Sequence, residues 1–166
     1  MKRIKKTALS AILAALSVVL LYAGSLLGKI DIATAAAASV CVMIIQCEFG
    51  YKRAIAVYLV TAVVSLVLVP SKTAPVLFTV LFGLYPVVKN YSESRFGKTA
   101  AYIIKYIYLN AAVAVLFVFV CITLAILPML FYPIVTLCAN ALLPVYDRLL
   151  SFGAAVYYNK VRTKFR

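Results

Sequence analysis

Apolar runs alternate with short polar breaks six times along this chain, and basic residues crowd into every second break. A helix needs about 20 apolar residues to cross the hydrocarbon core of a bilayer. Read against that length, the runs predict helices over about residues 7–27, 32–47, 54–69, 73–88, 101–127 and 134–158. The second, third and fourth, at about 16 residues each, are short enough to sit shallow or tilted against their neighbours. Pro75 falls in the first turn of the fourth helix, where a missing N–H costs little. Pro86 is placed to kink or end that helix. Residues 89–99 then read as the longest loop, polar throughout most of its length. Pro144 interrupts the sixth run, so the segment after it either completes the span or lies along the interface. The expected fold class is all-α, a single six-helix transmembrane bundle.

Charge adds a direction to this pattern. Of the 17 basic residues, 14 lie at the two termini, at Lys52 and Arg53, and between Lys89 and Lys105. The alternate breaks carry only Lys29 and Lys72, and Arg148 lies inside a run. Cationic loops stay on the cytoplasmic side, so both termini are expected to face the cytoplasm of a cell-membrane protein. A net charge of +13 on a chain that is 66% hydrophobic and 13% charged points to anionic headgroups rather than nucleic acid. The first run is longer than the roughly 7–15 residues of a signal-peptide core and is expected to be retained as the first helix. Tyr91, Tyr102, Tyr106, Tyr108, Tyr157 and Tyr158 gather near run ends and suit headgroup depth.

Chemistry is sparse. There is no histidine, no G-x-S-x-G, no glycine-rich phosphate loop, and the acidic residues number four, Asp31, Glu48, Glu93 and Asp147. The chain is not expected to be an enzyme or to hold a cofactor or metal. Cys41, Cys47, Cys121 and Cys138 form no C-x-x-C pair and read as small buried hydrophobes. Polar residues inside runs carry more information. Thr136, Asn140, Asp147, Ser151 and Tyr158 fall on one stripe of the sixth helix, which should face the bundle interior. Asp147 reads either as part of a substrate or coupling-ion site, or as half of an ion pair with Arg148 or Lys105. Arg148 can snorkel to the headgroups. Asn110 either binds substrate or bonds a neighbouring helix. Asn110, Thr136, Asn140 and Asp147 are thus the candidate substrate-binding residues. Gln46 and Glu48 read as ordinary surface residues at the basic side.

The first helix carries a small-x-x-x-small pair, Ala11 and Ala15, beside a second small face of Ser10, Ala14 and Ser17, and the second helix opens on Ala33 to Ala38. Such faces allow close packing, within the chain or against another membrane protein. Six spans, a basic start and the alanine-rich segment from Lys5 to Ala15 resemble the substrate-binding S components of energy-coupling-factor transporters. That resemblance implies docking through Ala11 and Ala15 on a coupling transmembrane subunit joined to ATPase subunits, and capture of a vitamin-like small molecule from outside. The chain departs from the family at its first outer turn, of about four residues, where members often carry a long substrate lid, and it lacks the N-terminal histidine of the nickel and cobalt members. Two other classes fit the residues: a non-catalytic accessory or assembly protein, and a small ion-coupled exporter with Asp147 as its proton site.

Overall fold

The computed structural model describes residues 3–28, 30–124, 131–157 and 159. Among them the chain forms α1 (Arg3–Leu27), α2 (Asp31–Phe49), α3 (Tyr51–Leu68), α4 (Thr73–Leu77), a π-helical turn (Phe78–Phe82), α5 (Tyr85–Arg95), α6 (Lys98–Leu124) and α7 (Phe131–Val156), with no strand. Helix α4, the π turn and α5 together make one span, so six helical stretches are long and apolar enough to cross a membrane. This is the all-α six-span bundle that the hydrophobic pattern predicts. Residues 125–127, 158 and Lys29, to which the sequence also assigns roles, lie outside the described residues.

Three helix limits differ from the pattern for identifiable reasons. The second and third helices are 19 and 18 residues long rather than about 16, because only Gly50 separates them. Gly50 sits at φ 81° and ψ 176°, a region open essentially to glycine, and its N–H returns to the Gln46 carbonyl at 3.0 Å. The fourth span continues through Lys89 to Arg95, so residues 89–95 are helix rather than loop. The span is interrupted at residues 83–84, just before Pro86, which then opens α5 in its first turn, where its fixed φ is already helical. Pro144 lies within a continuous α7, so the segment after it completes the span.

The packing surfaces follow residue size. Ala14, Ser17, Leu21 and Gly24 of α1, spaced three and four apart, face Ala35, Ala38 and Val42 of α2. Ser17 donates to its own Leu13 carbonyl at 2.9 Å and lies 3.4 Å from the Ala38 carbonyl across the interface. Gly24 makes room for the Thr34 side chain, with which a Cβ there would collide. The neighbouring small face, Ala11 and Ala15, points outward. One buried cluster joins α1 to α5, and a second joins α2, α5, α6 and α7 around Met43, Tyr85, Leu109 and Leu150. Tyr146 bridges both clusters. Its hydroxyl is 2.6 Å from Ser39 Oγ; since Ser39 gives its own proton to the Ala36 carbonyl, Tyr146 is the donor.

The basic end is assembled from several spans. Phe49 lies between Lys6 of α1 and Arg53 of α3, with ring-centroid distances of 5.9 and 5.5 Å, and Tyr157 donates to Glu48 at 3.0 Å. Gln46 is buried rather than a surface residue. Of the cysteines, Cys41 is buried, Cys47 and Cys121 are half-buried and Cys138 is exposed, and all are free thiols.

Overpacking a close helix contact costs about 1–3 kcal/mol. Gly24→Leu is therefore expected to lower the stability of the purified protein in a reversible denaturation titration by that amount, whereas Ala23→Leu, on the exposed side of the same turn, leaves it within about 0.5 kcal/mol.

Candidate functional site

Two features of opposite character occupy the two halves of the last three spans, and a broken helix lies between them. The break positions the rest. In the π turn the Gly83 N–H reaches back five residues to the Phe78 carbonyl at 2.6 Å, and Pro86 has no N–H for the Phe82 carbonyl. Carbonyls are thereby released in the middle of a membrane span, where water is absent. Tyrosines from both sides take them. Tyr58 of α3 donates to the Thr79 carbonyl at 2.9 Å, and Tyr108 of α6 lies 3.0 and 3.2 Å from the Val80 and Leu81 carbonyls. The sequence places Tyr108 at headgroup depth; it instead serves the broken helix from inside the bundle. Gly83 makes room for the Tyr58 ring, which a Cβ would approach to 2.6 Å.

Toward the basic end lies a closed network of charges. Tyr85, Lys89 and Glu93 recur every fourth residue on α5 and so share one face. That face meets Lys105 of α6 and Asp147 and Ser151 of α7. Lys89 Nζ donates to Asp147 Oδ1 at 2.7 Å, to the Asp147 carbonyl at 2.8 Å and to Ser151 Oγ at 2.7 Å. Lys105 Nζ donates to Glu93 Oε1 at 2.6 Å and to the two Asp147 oxygens at 3.1 and 3.0 Å. The Tyr85 hydroxyl adds a bond to Asp147 Oδ1 at 2.9 Å. Lys105 is 1% exposed and Asp147 7%, so these charges are out of water, while the Glu93 side chain is 47% exposed. Two cations and two carboxylates balance, and every lysine donor has an acceptor. Such closure is what a buried charge requires. A polar cavity of about 460 Å³, bounded by Glu93, Lys98, Tyr102 and Lys105, lies beside it.

Toward the other end, a cavity of about 770 Å³ opens between the fourth, fifth and sixth spans. Its walls include Val76 and Leu81 from the fourth span, Val113 and Phe117 from α6, and Ala139 and Leu142 from α7. Tyr85 and Tyr146 lie at its inner end, with ring centroids 5.1 Å apart. Their hydroxyls turn away, to Asp147 and to Ser39. Tyr85 thus touches both features, its ring on the cavity and its hydroxyl on the charges. Lys72 supplies the cavity's charged group.

The four candidate residues divide. Asn110 and Asn140 meet across α6 and α7 in a reciprocal pair, each amide donating to the other's carbonyl at 3.2 and 3.1 Å. Each spends its second N–H on its own helix, Asn110 on the Tyr106 carbonyl at 2.8 Å and Asn140 on the Thr136 carbonyl at 2.9 Å. Thr136 donates to the Tyr132 carbonyl at 2.8 Å. Asp147 stands apart in the charge network, and none of the four lines the large cavity. Lys105 is paired with Asp147; Arg148 is exposed. Lys89, the nearer partner of Asp147, was hidden from the sequence by the reading of its segment as loop. The spacing of Tyr85, Lys89 and Glu93 after Pro86 is the signal that points to it. Among the described residues, no three His, Cys, Asp or Glu side chains gather to hold a metal ion.

Fold and site together define a multi-pass membrane protein with a polar half locked by charge and an apolar half left open. Comparison with protein-family models, with curated proteins and with solved structures finds no match.

Removing one partner of a buried ion pair costs about 3–5 kcal/mol, because the other charge is left uncompensated. Asp147→Asn is expected to destabilise the protein by that order, leaving two lysines against Glu93. Adding Lys105→Met removes the surplus charge, so the double variant should be more stable than Asp147→Asn alone. A reversible unfolding titration of the wild type, both single variants and the double variant measures the sign of that coupling.

Proposed function

We propose that the protein is a non-catalytic substrate-binding subunit of a membrane uptake system, similar in role to the S components of energy-coupling-factor transporters. The single observation that carries this reading is the cavity of about 770 Å³ whose inner end is a discontinuous helix. Its volume falls in the range of about 300–1,000 Å³ that suits small organic ligands. Broken spans near the bilayer midplane are a recurring way to build transporter sites. The basic end belongs to the cytoplasm by the distribution of cationic residues, so the cavity faces the outside of the cell membrane. The substrate contacts move accordingly from Asn110, Thr136, Asn140 and Asp147 to the cavity walls and the two floor tyrosines.

Docking on a coupling subunit falls to the outward face of α1. Ala11 and Ala15 are exposed there, whereas Ala14 and Ser17 are consumed by packing on α2. Energy comes from ATPase subunits bound to that partner, since the chain carries no nucleotide-binding motif. The assembly-protein reading draws on a different observation, the complete internal pairing of Asn110, Asn140 and Asp147. The exporter reading loses ground for the same reason. Protonating Asp147 would leave a net positive cluster buried beneath the cavity.

Ala139 lies on the cavity wall, so Ala139→Trp should fill the space without touching the network. Mass spectrometry of small molecules extracted from the purified protein should find one compound in the wild type that falls at least about tenfold in this variant. Equal small-molecule content in both folded proteins would favour the assembly role. Ala11→Trp should separately abolish recovery of a coupling subunit and ATPases with the affinity-purified chain, without changing that compound's content. Failure of the intact chain to retain such partners from its native membrane contradicts the docking half of the proposal.

A further inference from the structure

We infer that the cavity takes a single-chain anionic amphiphile, its apolar body between the fourth, fifth and sixth spans and its carboxylate at Lys72. The inference rests on the proposed binding role and adds the chemical class of the substrate.

Three observations converge on that class. The first is the poverty of polar groups within the cavity. The Tyr85 and Tyr146 hydroxyls are committed to Asp147 and Ser39, so neither ring offers its polar atom to a ligand. A sugar-like or many-amide substrate would lose its bonds to water there without replacement, at a cost of about 1–3 kcal/mol for each polar group. An apolar chain or ring loses nothing and gains contact with Val76, Leu81, Val113, Phe117 and Leu142.

The second observation is the way in. Ile134, Val135, Leu142 and Phe119 both line the cavity and are 47–64% exposed on the bundle surface. The rim is therefore continuous with the face that meets lipid tails. A molecule already dissolved in the membrane can enter sideways without crossing water, which suits an amphiphile and not a hydrophilic nutrient.

The third is Lys72, the one charged residue among those lining the cavity. Its ammonium donates to the Leu66 carbonyl at 2.8 Å and the Val69 carbonyl at 2.9 Å, closing the end of α3. A lysine has three donors, so one remains. No carboxylate among the described residues pairs with it, and it is exposed. The two carbonyls hold the ammonium in place at the headgroup-facing end of the cavity. An anion arriving there completes the set and is strengthened by the low dielectric alongside. A single chain is favoured over a two-chain lipid because one tail fills a drug-sized cavity while leaving its head at the rim.

The test uses dodecanoate and dodecanol, which share a tail and differ in charge. Native mass spectrometry of the detergent-released protein counts the bound probe, at a pH where the carboxylate is ionised. Wild type should retain dodecanoate about tenfold more tightly than dodecanol. Lys72→Gln should bind the two alike, Lys72→Arg should restore the preference, and Ala139→Trp should bind neither. Equal binding of both probes to wild type, unaltered by Lys72→Gln, overturns the anionic class while leaving the cavity as the binding site. If neither probe binds, yet a compound is lost from Ala139→Trp, the class is wrong and the binding role stands. If neither probe binds and no compound depends on Ala139, both readings fall together. Dodecanol binding to Lys72→Gln at the wild-type level, with dodecanoate falling to match it, excludes mere unfolding of the α3 end as the cause.

Discussion

A charge inside a bilayer must carry its counter-charge with it, and that constraint arranges the last three spans of this molecule. Lys89, Lys105, Glu93 and Asp147 meet from three spans and cancel, with Tyr85 and Ser151 taking up the remaining hydrogen-bonding capacity. In hydrocarbon there is no hydrophobic effect to draw helices together, so packing of small faces and such polar closures do the holding. The network fixes α5, α6 and α7 at the basic end. The other half of the same three spans has only the neutral Asn110–Asn140 pair between α6 and α7, and there the cavity opens. Closure at one end and openness at the other are two consequences of where the charged residues fall.

The discontinuous fourth span joins these halves. A regular helix would have used the carbonyls of residues 79–81 internally and left Tyr58 and Tyr108 without partners. The π turn redirects them, lets Pro86 begin a new helix, and sets Tyr85 where its ring faces the apolar space and its hydroxyl faces Asp147. One residue thus touches both the apolar space and the charge network. The first three spans contribute less chemistry and more rigidity: α1 and α2 pack through alanine, serine and Gly24, and Ser39 holds the other floor tyrosine.

The sequence revealed the spans because six apolar runs leave a bilayer as the only suitable solvent. It revealed that Asp147 needs a partner, because a lone buried carboxylate is too costly, and offered Arg148 or Lys105; Lys105 makes the pair and Arg148 does not. It failed at Lys89, since a polar segment from 89 to 95 looks like a loop until Pro86 is read as a helix start. It also treated tyrosines near run ends as headgroup anchors. Tyr102 and Tyr106 fit that role by exposure, but Tyr108 does not, since its partners are carbonyls that only a broken helix exposes. Asn110 and Asn140 were rightly singled out as needing bonds; that they satisfy each other depends on the rotation of α6 against α7, which no single-helix pattern contains. The cavity was invisible for the same reason. Its walls are ordinary apolar residues, and only their separation in space distinguishes them from packed core.

The central claim is that the charge network closes the polar end of the bundle without taking part in binding, which belongs to the apolar cavity. The most direct measurement replaces the network by neutral groups of similar size, Lys89→Met, Lys105→Met, Glu93→Gln and Asp147→Asn together, and determines ligand retention in the folded variant by native mass spectrometry. Neutral replacement of a complete buried ionic cluster is often tolerated, so a folded protein with undiminished ligand retention is the predicted result. A folded variant that no longer retains the ligand would contradict the account and place binding on the charges themselves.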